Sequence, residues 1–179
     1  MTHLIKNRRI VTDSWLLLDG ERWLRAGEDG FVPDFPVAAA LIVPVALWRG
    51  RRGELLDRGG PLGVRLDGGD APEIIAADLR HFDLVAVEIR QFSDGRAHTL
   101  GRLLRERYGF RGELRAAGDV LRDQLLSLEQ CGFDAFALRG DQDANETLLA
   151  FNDFTEAYQA SVTQPAPLFR RRAVAVATP

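Results

Sequence analysis

The stretch Leu84–Leu138, LVAVEIRQFSDGRAHTLGRLLRERYGFRGELRAAGDVLRDQLLSLEQCGFDAFAL, decides the architecture. Three short strand-like runs, Leu84–Ile89, Glu113–Ala116 and Ala135–Leu138, alternate with two segments patterned for helix. Leu100, Leu103, Leu104 and Tyr108 recur at the spacing of one helical stripe, which predicts a helix over Ala97–Tyr108 with Arg102, Arg105 and Arg107 off that stripe. Leu121, Leu125 and Leu128 predict a second helix over Val120–Gln130. Gly109 and Gly132 stand where such helices stop. Strands joined by helices belong to parallel sheets, whose crossovers are right-handed.

The same alternation extends outward. Leu41–Leu47 reads as a strand, although Pro44 cannot donate to a ladder and so points to an edge or a bulge. Arg49–Arg58 reads as a helix ended by Gly59-Gly60, Gly63–Leu66 as a strand, and Pro72–Leu79 as a short helix. After Leu138, a helix is expected over Ala144–Ala160, with Asp143 as N-cap, Glu146 completing a capping box, and Leu148, Phe151, Phe154 and Tyr158 on one side.

The chain is therefore α/β, with five βα units forming a mainly parallel sheet flanked by helices. Five strands suit an open, doubly wound sheet. A partial β/α barrel is the alternative, since a complete barrel needs about eight units and over 200 residues. Residues 1–30 read as a β lead-in, an N-terminal β-hairpin of Arg9–Val11 and Ser14–Asp19 with a turn at Asp19-Gly20. Trp15 and Trp23 are placed over an edge or end of the sheet. Residues 1–163 then form a single domain. Residues 164–179, with Arg170-Arg171-Arg172 behind a proline-bearing stretch, form a flexible basic tail.

Composition removes several function classes. The net charge of −3 gives no broad basic field, so nucleic-acid binding is not expected, and Lys6 is the sole lysine. Cys131, the one cysteine, cannot form an intrachain disulfide, a thiolate zinc site or an iron–sulfur cluster by itself. The first ten residues lack the apolar segment of a signal peptide, and the longest apolar run, broken by Pro36 and Pro44, is too short for a bilayer. A cytoplasmic protein with no membrane contact is expected. There is no G-x-G-x-x-G turn, Walker A loop or G-x-S-x-G elbow, and His3, His81 and His98 lack metal-ligand spacing. No cofactor and no metal are expected.

In parallel α/β folds, ligands meet the carboxyl ends of the strands. Arg90, Gln91, Ser93, Asp94, Gly95, Arg96 and His98 follow the first run of the central stretch. Gly118, Asp119, Arg122, Asp123 and Gln124 follow the second, and Arg139, Asp141 and Asp143 the third. Arg96, Arg115 and Arg122 are the candidate anion-binding residues, and Asp94 and Asp119 the candidate acid or base. Ser93, Gly95, Asp123, Gln124 and Arg139 complete the candidate rim. Each also has a structural reading: Asp119 suits a helix N-cap, Asp94-Gly95 a turn, and Arg115 a carboxylate partner.

Five blocks in this order carry a resemblance: Phe92–Arg96, Arg102–Phe110, Gly112–Ala116, Gly118–Gln124 and Cys131–Phe136. Together they resemble DUF934, a bacterial family of unknown function, and a fainter likeness reaches back to Leu41–Trp48. The family tends to carry Phe-Pro-Lys where this chain has Ile89-Arg90-Gln91, and Gly-Tyr-Ser where it has Ala97-His98-Thr99. No lysine at 91 or tyrosine at 98 is therefore available. Members are typically encoded beside the haemoprotein of assimilatory sulfite reductase, and some bear the label "probable oxidoreductase". The resemblance implies an accessory role in sulfur assimilation, with that haemoprotein as partner. The residues alone suggest, as the alternative, a small enzyme or binding protein for a phosphorylated or sulfated metabolite held by strand-end arginines. Whether the chain is catalytic and its oligomeric state stay open at this point.

Overall fold

The computed structural model describes residues 4–18, 23, 34–154 and 157–176. Its strands are β1 (Leu4–Lys6), β2 (Arg9–Val11), β3 (Trp15–Leu17), β4 (Ala40–Pro44), β5 (Leu62–Asp67), β6 (Leu84–Ile89), β7 (Glu113–Gly118) and β8 (Ala135–Ala137). They form one sheet in the order β2-β1-β8-β7-β6-β5-β4-β3. From β3 to β8 every neighbouring pair is parallel, while β1 is antiparallel to both β8 and β2.

This order corrects the doubly wound expectation. A doubly wound sheet reverses direction at a switch point, but here each parallel strand is added beside its predecessor. The result is a mixed, curled half-barrel. Chain connectivity requires the curl: β2 and β3 are the two sheet edges, and only residues 12–14 join them. That link spans about 14 Å at most, whereas eight strands laid flat would place the edges roughly 34 Å apart. Followed rung by rung, Val11 at one edge stands about six residues further along the strands than Trp15 at the other, the stagger that tilted strands accumulate as a sheet closes.

The N-terminal hairpin is also displaced from its expected position. It pairs β1 with β2 through Asn7 and Arg8, both at positive φ (49° and 59°), as the favoured two-residue hairpin turn requires. β3 instead joins the far edge beside β4, and Asp19-Gly20 lies outside the described residues. Trp15 is accordingly an edge-strand residue, while Trp23 stacks on Phe35 with ring centroids 5.4 Å apart. Pro44 is tolerated because it ends β4, two residues past the point where β3 stops opposite Ile42.

The helices are short: α1 (Val45–Gly50), α2 (Arg52–Asp57), α3 (Glu73–Ala76), α4 (Arg96–Glu106), α5 (Leu125–Gln130), α6 (Ala144–Leu148) and α7 (Leu168–Val176). Leu41, Val43, Val64, Leu66, Val85, Val87, Leu114 and Ala116 bury the outer sheet face against Leu47, Trp48, Ile75, Leu100, Leu104 and Leu125 of this layer. α4 falls where its apolar stripe predicts, with Leu100 and Leu104 buried, and packs so closely that a Cβ on Gly101 would stand 2.4 Å from the Phe133 ring. Arg105, expected off the stripe, is instead only 10% exposed as a side chain. It donates to the carbonyls of Phe110, Gly112 and Gly132 at 2.8–2.9 Å and to Asp134 at 2.7 Å. Its fork thus closes the loops at the amino-terminal end of β7 and β8, and Asp134 continues the tie by accepting the Leu114 N–H.

The later helices are shorter than their patterns predict. Residues 122–124 form a 3-10 turn before α5, and a second such turn over Leu149–Asn152 ends the helix that begins with α6. Asp143 does cap α6, accepting from Asn145 and Glu146 N–H at 2.8 and 2.9 Å. Phe151 is buried, but Phe154 and Tyr158 are 72% and 70% exposed, so the expected stripe ends with the helix. Within the segment read as a tail, Leu168–Val176 is helical. No helix among the described residues is long and apolar enough to cross a membrane.

Candidate functional site

The inner face of the curled sheet is built from the residues between the outward ones. Register sets Arg65, Ala86 and Arg115 side by side on β5, β6 and β7, and Asp67, Glu88 and Ala117 on the next inward rung. Among the described residues, Ile42, Leu84 and Ala86, with Trp15 against them, form the one apolar cluster here. Small and charged side chains cannot fill the curl, and they enclose a cavity of about 430 Å³. Trp15, Ile42, Arg65, Glu88 and Arg115 line its walls, and Gly118, Arg139 and Gly140 stand at its carboxyl-end mouth. That volume lies in the range of small-ligand sites.

Arg115 is the electrostatic centre. Its side chain is 3% exposed. Nη1 donates to Asp13 at 2.8 Å and Nε to Glu113 at 2.8 Å, while Lys6 meets the other oxygen of Glu113 at 2.7 Å. Asp13 comes from the link between the sheet edges, so this ion pair holds the link across the inner face. Arg115 Nη2 lies 2.7 Å from Glu113 Oε1 but off the hydrogen-bond direction, leaving a buried donor unsatisfied. Arg65 is held less tightly: its ion pair, with Glu88, is 4.0 Å long, beyond hydrogen-bond reach.

The strand-end rim is differently organised. Arg96 donates twice to Asp94, at 2.6 and 2.8 Å, and this holds the Asp94 carboxyl well below the usual range, at about 2. Arg139 joins Asp141 and Asp119 at 2.7 and 2.8 Å, and it lowers Asp141 likewise to about 2. Arg122 pairs with Asp153 at 2.8 Å. Asp119 does not cap a helix as expected, because its second oxygen accepts the Phe92 N–H at 2.8 Å and binds the β6 loop to the β7 loop. Buried Gln124 completes this tie, donating to Phe92 O at 3.1 Å and accepting from Leu121 N–H at 3.0 Å. Ser93, Gly95 and Asp123 are exposed.

Of the three anion-binding candidates, Arg115 alone lines the cavity, from mid-strand and not from a strand end. Arg139 reaches the mouth; Arg96 borders a separate shallow depression with Gly68, Gly69 and Asp70. Two further groups are held by burial. The Cys131 thiol is half-buried, which pushes its pKa up and disfavours the thiolate. Ser127 Oγ donates to Gln124 O, so it accepts from His98 Nε2–H at 3.0 Å, and His98 Nδ1 stays buried without a partner. Burial lowers the His98 pKa.

Sequence reading missed Arg65, Glu88, Asp13 and Trp15. A signal was present in Val64-Arg65-Leu66, Val87-Glu88-Ile89 and Leu114-Arg115-Ala116, each a charge between two outward apolar residues of one strand. A charge at that phase marks an inner face too polar to be a second core.

Residues 63–169, from β5 to the start of α7, match a family described as a bacterial protein of unknown function. The chain belongs to the DUF934 family. No curated protein matches it. The DUF934 match contains Arg65, Glu88, Arg115 and the whole strand-end rim, whereas Asp13 and Trp15, which close the cavity, precede it.

Proposed function

We propose that this DUF934 protein is an accessory protein of sulfur assimilation that acts with the sulfite reductase haemoprotein by binding and not by chemistry of its own. The likeness of its central blocks to a family encoded beside that haemoprotein supports the pathway. One observation supports binding over catalysis: the two candidate acid–base carboxylates are already engaged, Asp94 by Arg96 and Asp119 by Arg139 and the Phe92 N–H. A general base needs a pKa near the working pH, and a carboxyl held at about 2 is far below it. The rim is also pre-neutralised. A phosphorylated or sulfated metabolite would first have to displace Asp94 from Arg96 and Asp153 from Arg122, which weighs against the strand-end arginines as its site.

The test is sulfite turnover and co-purification with the haemoprotein from the same organism, with and without this chain. A stable complex or a rise in turnover is expected. Absence of a complex together with unchanged turnover in cells and extracts would overturn the reading.

A further inference from the structure

We infer that the inner cavity binds a small zwitterion with an apolar substituent, of the α-amino acid class, its carboxylate on Arg65 and its ammonium at Glu88. The inference goes beyond the haemoprotein reading and does not depend on it. It rests on an inventory of the charged residues that line the cavity among the described residues: Asp13, Arg65, Glu88, Arg115 and Arg139. Arg115 is ion-paired with Asp13 and Glu113, with only its buried Nη2 left without a hydrogen bond, and Arg139 is paired with Asp119 and Asp141. That leaves Arg65 and Glu88, 33% and 28% exposed as side chains and 4.0 Å apart.

A guanidinium and a carboxylate held close without a hydrogen bond to each other keep their donors and acceptors open to a ligand. A molecule that presents an anion and a cation from one carbon satisfies both at once, in a bidentate fork on Arg65 and a charge-assisted bond to Glu88. The remaining wall suits an apolar substituent, because Trp15, Leu17 and Ile42 line one side while Ala86, Ala117 and Ala137 leave space on the other. A dianion such as phosphate or sulfate fits this balance poorly, since Asp13 and Glu88 face the same space and Glu113 lies behind Arg115. A simple cation meets Arg65, Arg115 and Arg139. The site lies at mid-strand, and its mouth, at Gly118, Arg139 and Gly140, opens toward the carboxyl ends of the parallel strands, where this architecture exposes ligands.

The experiment is titration calorimetry of the full chain with L-leucine and L-methionine, and with three controls: 4-methylpentanoate without the ammonium, isopentylamine without the carboxylate, and inorganic sulfate. Saturable binding of at least one amino acid is expected. Binding should fall about tenfold or more for either one-charge analogue and for Arg65→Gln and Glu88→Gln, the loss expected of a charge-assisted hydrogen bond. Melting curves establish that both variants remain folded, and Arg96→Ala should bind as the wild type. The inference is overturned if neither amino acid binds, if sulfate binds more tightly than either, or if folded Arg65→Gln binds as the wild type does.

Discussion

The two faces of the strands β4–β7 are made from alternate residues of the same segments, yet they behave as different materials. Outward, Val43, Val64, Val85 and Leu114 stand on successive strands at zero exposure, under a layer of helices. Inward, Arg65, Ala86 and Arg115 share a rung over a cavity. Large branched side chains interdigitate to crystal-like density, whereas small ones beside charged ones leave space and keep polar groups available to a ligand. Stability therefore belongs chiefly to the outer face and recognition to the inner one. The exception is Arg115, whose network fastens the inner face and the link that closes it.

That exception gives the largest expected effect. Arg115→Ala leaves buried Glu113 with Lys6 alone and takes Asp13 out of its ion pair, and it should cost about 3–5 kcal/mol in urea unfolding. Its outward neighbour Leu114→Ala should cost about 2–5 kcal/mol by leaving a core cavity. The comparison breaks if Arg115→Ala is as mild as a surface change. At the cavity mouth, Gly118 has φ +92°, and a Cβ there would stand 2.4 Å from Ile89 O. Gly118→Ala should therefore cost about 1–3 kcal/mol, measured by the same denaturation.

A smaller effect concerns pH. His98 has its folded pKa lowered by burial, so the unfolded chain binds this proton more readily than the native one. Its contribution is therefore fully present above about pH 6.5 and is lost as pH falls through that value toward the folded pKa. The melting temperature should be flat above about pH 7 and decline below about pH 6.5, and His98→Gln should flatten the decline. The smallest effect is expected at the rim. Arg96→Ala, which removes an exposed guanidinium from its surface pair with Asp94, should leave the denaturation midpoint nearly unchanged.

Much of the outer layer was legible in the sequence, because an apolar run or a stripe is a local signal. A strand formed within each of the five runs expected for the βα units, although that of Leu41–Leu47 ends at Pro44 and turns helical; α4 formed where the spacing placed it, and Asp143 capped α6. The curl was legible only as the alternative, a partial β/α barrel, and the open sheet was preferred to it. The curl depends on Trp15–Leu17 pairing with Ala40–Ile42 across a long insertion, and no residue in either run specifies the other. Rim pairs two residues apart, Asp94–Arg96 and Arg139–Asp141, were visible in the sequence as neighbouring opposite charges. The ties of Asp119 to Phe92 and Arg139, and of Arg122 to Asp153, needed the fold to bring separate loops together. Arg115 was read both as a strand-end anion site and as a carboxylate partner; it pairs with Glu113 and Asp13 from mid-strand, because its strand was expected to stop at Ala116 and in fact continues to Gly118.

The most direct test is the unfolding free energy of Ala117→Leu, which adds a branched side chain to the inner face where the cavity has room. If that face is a ligand cavity, stability should stay within about 0.5 kcal/mol of wild type. A loss of about 1–3 kcal/mol, the cost of overpacking a filled interior, would show that the inner face is a second core and contradict the account.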